Sequence, residues 1–120
     1  MTEAKTDREL LELAAKAAGI EGSYQKYIDS DRNCGIVVYG DRTVSYWNPL
    51  TDDGDALRLA VKLRLRVCTP TTDTDCALAS NGDVTAYSED ELSDTPMSDL
   101  YAATRRAIVR ASAEIGEAMK

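Results

Sequence analysis

Apolar and polar positions recur at two different periods along this chain, and each change of period marks a new element. Leu10, Leu11, Leu13, Ala14, Ala17 and Ala18 fall at helical spacing, which lines them up as one apolar stripe. Thr6-Asp7-Arg8-Glu9 precedes the stripe as a capping box, and Gly19 follows it as a stop. A helix over 7–18 is predicted, with Ile20 folded back onto its stripe. From Gly22 the period drops to two. Tyr24, Lys26 and Ile28 alternate with Gln25, Tyr27 and Asp29, as in a half-buried strand. Asp31-Arg32-Asn33 is turn chemistry. Gly35-Ile36-Val37-Val38-Tyr39 is the most strand-like run in the chain, being β-branched and aromatic. Gly40-Asp41 turns the chain, and residues 42–47 return with Val44 and Tyr46 on one face and Thr43, Ser45 and Trp47 on the other. Three short strands joined by short turns predict an antiparallel meander.

Asn48-Pro49 ends the third strand, because a proline biases the residue before it away from helix. Thr51-Asp52-Asp53 then supplies a helix start, with acids where the macrodipole favours them. The second helix is predicted over 53–64. Its apolar positions are Ala56, Leu57, Leu59, Ala60, Val61 and Leu63, a stripe broad enough to lie flat on a sheet. Residues 65–68 read as a short strand. A polar loop over 69–75 leads to two runs, 76–79 and 84–87, that flank Asn81-Gly82, a strong hairpin signal. A second polar connection, 88–98, contains Pro96. The last helix starts near Met97 or Ser98 and carries Leu100, Tyr101, Thr104, Ile108, Ala111, Ile115 and Met119 at helical spacing.

Strands and helices do not alternate one by one, which argues against a doubly wound parallel sheet. Both faces of 35–39 are apolar, which favours helices on both sides of the strands. The expected class is α+β: one globular domain over 1–120, a three-layer α/β/α sandwich with a mainly antiparallel sheet and about three helices. Residues 1–5 precede any patterned element and are expected to be disordered.

Composition removes several chemistries. The chain has 120 residues and no histidine, so it offers no imidazole base, nucleophile partner or metal ligand. Phenylalanine is also absent, and the aromatic core rests on one Trp and six Tyr. The cysteines are Cys34, Cys68 and Cys76. An odd count without CxxC spacing is neither a disulfide framework nor a zinc ribbon, and small buried thiols in a reducing compartment are expected. The N-terminus lacks the apolar segment of a signal peptide, and no apolar run approaches bilayer length. A cytoplasmic protein with no membrane partner is the expectation.

The formal net charge of −7 is concentrated in one stretch. Between Val67 and Thr104 there is no Lys or Arg, while Asp73, Asp75, Asp83, Glu89, Asp90, Glu91, Asp94 and Asp99 supply eight negative charges. The remainder holds 14 basic and 13 acidic residues, a balance of +1. Such a surface repels phosphates, so no nucleic-acid partner is expected. The basic cluster Arg105, Arg106 and Arg110 follows directly, and its plain role is to pair with nearby carboxylates. Asp73-Thr74-Asp75 is half of a calcium loop. Ala77-Leu78 and Val84 stand where that loop needs its glycine and its bidentate glutamate. No phosphate loop, nucleophile–base pair or sugar cleft is indicated, and no cofactor or metal is expected.

The run from Trp47 through Asn48-Pro49-Leu50-Thr51-Asp52-Asp53 into the helix up to Leu63, with the later Ala102-Ala103-Thr104-Arg105-Arg106-Ala107-Ile108-Val109-Arg110-Ala111, resembles small proteins of tailed phages and prophages. The group is similar to what is called the phage ABA sandwich domain, whose function is unknown. The resemblance implies helices on both faces of a sheet, a phage or prophage origin and a bacterial host cytoplasm; it implies no catalytic residues. The same segment also reads as an architectural joint, with Trp47 covering the junction between sheet and helix. The acidic stretch has two readings. It is a solvated edge that keeps the protein soluble, or a docking surface for a basic host or phage protein through Asp73, Asp75, Asp83, Glu89, Asp90, Glu91 and Asp94. The functional expectation is a non-enzymatic phage accessory protein that binds another protein. The alternatives are a homo-oligomeric structural module with Tyr and Trp at an exposed sheet face or edge, and a small carboxylate-based enzyme.

Overall fold

The computed structural model describes residues 6–26, 34–39, 44–69, 77–82, 84–87 and 100–119. Residues 1–5, the turns predicted at 31–33 and 40–41 and the predicted start of the last helix at 97–98 lie outside them. The element order is α1 (Asp7–Ala18), β1 (Ser23–Lys26), β2 (Cys34–Tyr39), β3 (Val44–Trp47), α2 (Asp53–Lys62), β4 (Arg66–Cys68), β5 (Leu78–Ser80), β6 (Thr85–Tyr87) and α3 (Leu100–Ala118). The fold is α+β, and every strand pair among the described residues is antiparallel. The radius of gyration is 14.1 Å, beside about 13.6 Å for a compact chain of this length.

Helix α1 forms where its cap and stop predict. The Thr6 hydroxyl accepts from the Glu9 amide at 3.2 Å, and the Glu9 carboxylate reaches back to the Thr6 amide. At the other end Gly19 adopts φ +73°, which lets the Ile20 amide donate to the Ala15 carbonyl at 2.9 Å. Ile20 thereby folds onto the stripe. The stripe serves two neighbours. Leu10, Ala14 and Ala18 face α3, while Leu11 and Ala15 pack on Ile36 of β2.

The strands divide into two sheets of three, ordered β1-β2-β3 and β4-β5-β6. The expectation of one sheet sandwiched between helices differs from this arrangement. Contacts run from the first sheet to α1, from α1 to α3, and from α3 to the second sheet. Pairing decides this, and pairing lies in backbone edges that side-chain periodicity does not report. On the first sheet Tyr24, Ile36 and Trp47 lie in register across three strands, on the face that meets α1. On the second, Ala77, Ala79 and Ala86 are buried against α3. Small side chains there allow the helix to approach closely.

Helix α2 departs from its predicted role. Ala56, Leu59 and Ala60 are buried against α3 and the core. Leu57 and Val61 are 65% and 69% exposed, so two of the six stripe positions face outward rather than lying on a sheet. The helix ends in a Schellman motif. The Leu65 amide donates to the Ala60 carbonyl at 2.8 Å and the Arg64 amide to the Val61 carbonyl at 3.2 Å. The left-handed position is Arg64, at φ +57°, where a Cβ costs about 1 kcal/mol relative to glycine. Arg64→Gly is therefore expected to stabilise the protein by ~0.5–1 kcal/mol. Chemical denaturation checks this, and a lower midpoint would show that the arginine makes a compensating contact.

Candidate functional site

Asp73, Asp75, Asp83, Glu89, Asp90, Glu91 and Asp94, together with Asp99, lie outside the described residues. Their flanks are described. Cys68, at the end of β4, pairs with Leu78 at the start of β5, and Leu78 pairs with Tyr87 at the end of β6. The chain therefore leaves β4 toward Asp73 and Asp75, and leaves β6 toward Glu89, Asp90, Glu91 and Asp94, from the same end of the second sheet. The Asn81-Gly82 connection lies at the opposite end of that sheet. There the Asn81 amide donates to the Val84 carbonyl at 3.1 Å and the Asn81 side chain accepts from the Val84 amide at 2.8 Å.

The arginines that follow the acidic stretch in sequence are engaged elsewhere. Arg105 donates through Nε to the Leu50 carbonyl at 2.9 Å and pairs with Asp53 in the first turn of α2. Arg106 pairs with Asp7, the first residue of α1, at 3.0 Å. Both pair with carboxylates, but with ones far along the chain rather than the predicted nearby acids. Each acid sits at a helix start where the dipole also favours it. The pairs are partly exposed, and each contributes at most about 1 kcal/mol.

The Trp47-to-Asp55 run forms the predicted joint. Asn48 is buried; its side-chain oxygen accepts from the Leu50 amide at 3.0 Å, and its own amide donates to Asp55 at 3.0 Å. Asp52 caps α2 by accepting from the Asp55 amide at 2.8 Å. Arg58 closes the network on Asp55 at 2.7 Å, with Asp52 at 3.9 Å. Trp47 packs on both core clusters, so it is not an exposed contact of the kind the oligomeric alternative invoked. The Asn48, Asp52 and Asp55 groups bonded here have structural uses: bending the chain after β3 and capping α2.

Cys68 is an exposed free thiol on the outer strand of the second sheet, where a buried one was expected. Its position at a strand end next to a connection explains the exposure. Cys76 lies outside the described residues, as does the side chain of Cys34. Among the described residues no three Cys, Asp or Glu side chains gather as a metal site would require, and no helix is long and apolar enough to cross a membrane.

Sequence patterning missed one surface. From Ala56 to Arg66 the chain has four cations, Arg58, Lys62, Arg64 and Arg66, and no acid. All four are exposed, as are Leu57 and Val61 beside them. The charge run is legible in the sequence; its combination with outward-facing apolar side chains is not, because the stripe reads as buried throughout. Comparison with protein-family models, with curated proteins and with solved structures gives no match.

Proposed function

We propose that this chain is a non-enzymatic accessory protein of phage or prophage origin that acts in the host cytoplasm by binding another protein through its acidic stretch, residues 67–104. The phage origin follows from the resemblance of the Trp47-to-Leu63 segment. The observation that carries the docking role is the engagement of Arg105 and Arg106 with Asp53 and Asp7. These are the cations nearest the stretch on its C-terminal side, and their charge is directed to the helix starts. Clustered carboxylates of one sign steer a basic partner and raise its rate of encounter.

The test compares the natural chain with a variant carrying Asn or Gln at Asp73, Asp75, Asp83, Glu89, Asp90, Glu91 and Asp94. Both serve as bait in bacterial lysate at low and high salt. A partner held by the natural chain at low salt, released at high salt and lost with the variant is the expected result. Equal capture by both baits would end the proposal.

A second reading is a homo-oligomeric structural module. It is favoured by Tyr39 and Val44, which face each other across β2 and β3 and are 68% and 59% exposed. Light scattering at high concentration decides it, and a strictly monomeric protein removes it.

A further inference from the structure

The outer face of α2 combines three properties. Leu57 and Val61 lie one helical turn apart and are largely exposed. Lys62 ends the same helix, Arg64 and Arg66 follow it, and all three are exposed and form no ion pair among the described residues, while Arg58 is held by Asp55 and Asp52. The stretch from Ala56 to Arg66 holds four cations and no acid, and the stretch that follows, up to Thr104, holds eight acids and no cation. Two stretches of opposite charge thus occur on one chain.

We propose that the outer face of α2 is the docking site for the acidic stretch of a second copy of this chain. The inference rests on the docking reading above and names its partner surface. Charge decides among the occupants. A second α2 would bring cation against cation, so a symmetric pairing of the apolar faces is opposed. A nucleic acid offers charge alone and leaves Leu57 and Val61 without an apolar partner. The stretch after β6 offers acids and apolar groups together, as Glu89, Asp90, Glu91, Leu92, Asp94 and Met97. At physiological salt the Debye length is about 8 Å, so facing opposite charges attract while the distant like charges of the two bodies are screened. The interface pairs unlike surfaces, since each copy offers one donor and one acceptor.

That asymmetry supplies the experiment. One variant, Lys62→Glu with Arg64→Glu, loses the acceptor surface. Another, with Asn or Gln at Glu89, Asp90, Glu91 and Asp94, loses the donor surface. Masses are measured by light scattering at 0.1–1 mM, with circular dichroism to establish that each variant is folded. The natural chain is expected to exceed 13.1 kDa as concentration rises, and each variant alone to remain monomeric. Mixed in equal amounts, the two variants retain one intact interface and are expected to form a 1:1 pair of twice the monomer mass. Leu57→Ser with Val61→Ser, which leaves the charges in place, is expected to weaken association at least tenfold. A natural chain that stays monomeric throughout overturns the inference, as does a mixture that does not pair. Either result leaves capture of a different basic protein by the acidic stretch open to the lysate experiment, so the two failures are distinguishable.

Discussion

Replacing Gly116 with alanine is expected to destabilise this protein by about 3 kcal/mol. A Cβ at Gly116 would lie 2.0 Å from the Leu13 carbonyl oxygen and 2.9 Å from its carbon. Both belong to the backbone of α1, so no side chain can rotate to make room; the helices have to separate. Separation opens the interface that buries Ala14 and Ala18 on one side and Ala111 and Ala113 on the other. Helix propensity acts in the opposite direction, since alanine is favoured over glycine inside a helix by about 1 kcal/mol. The steric term is larger because the required shift exceeds 1 Å in a close-packed interior. Thermal unfolding is the measurement, and a fall of roughly 10 °C is expected at ~4 °C per kcal/mol. A neutral or raised midpoint would mean that α1 and α3 are held apart more loosely than their closest approach implies. Gly19→Ala is the companion variant. Nothing lies within 4 Å of a Cβ there, so its loss reports the left-handed backbone alone, at about 1 kcal/mol.

Gly35→Ala is expected to have a comparable effect, also about 3 kcal/mol, from two causes acting together. The residue has φ +130°, a conformation that is strained for any side chain by about 1–3 kcal/mol. A Cβ would also meet the Trp47 carbonyl oxygen at 2.6 Å and the Asn48 Cβ at 2.9 Å. These atoms lie at the joint between β3 and α2, so the clash is transmitted to the buried Asn48 and its bonds to Leu50 and Asp55. Urea unfolding monitored by the fluorescence of Trp47, the one tryptophan, reads stability and local environment at once. The midpoint should fall, and the native-state emission should shift as the indole cover loosens. An unchanged native spectrum with unchanged stability would show that β2 and β3 can move apart without cost.

Local chemistry was legible wherever it was carried by neighbouring residues. The box at Thr6 to Glu9, the stop at Gly19, the break at Asn48-Pro49 and the turn at Asn81-Gly82 each act over four residues or fewer, and each occurs where the sequence places it. The joint at Trp47 to Asp55 was legible as a joint for the same reason. Less was legible where the deciding partner lies far along the chain. Gly116 looks like a defect in a helix until Leu13 is beside it. Arg105 and Arg106 read as partners for carboxylates, but nothing nearby in sequence points to Asp53 and Asp7. Leu57 and Val61 belong to the same stripe as Leu59 and Ala60 by spacing, yet only one edge of that stripe meets α3.

The element order, the antiparallel character of the strands, the α+β class and the concentration of negative charge between Val67 and Thr104 are written in the residues alone. These follow from periods, caps and composition, which are properties of neighbours. Packing settled that the six described strands form two sheets, that α1 and α3 meet through alanine and glycine, and that α2 turns an apolar and cationic face outward. Those outcomes depend on which surfaces compete best for burial against one another, and that competition is settled only when the whole chain is packed.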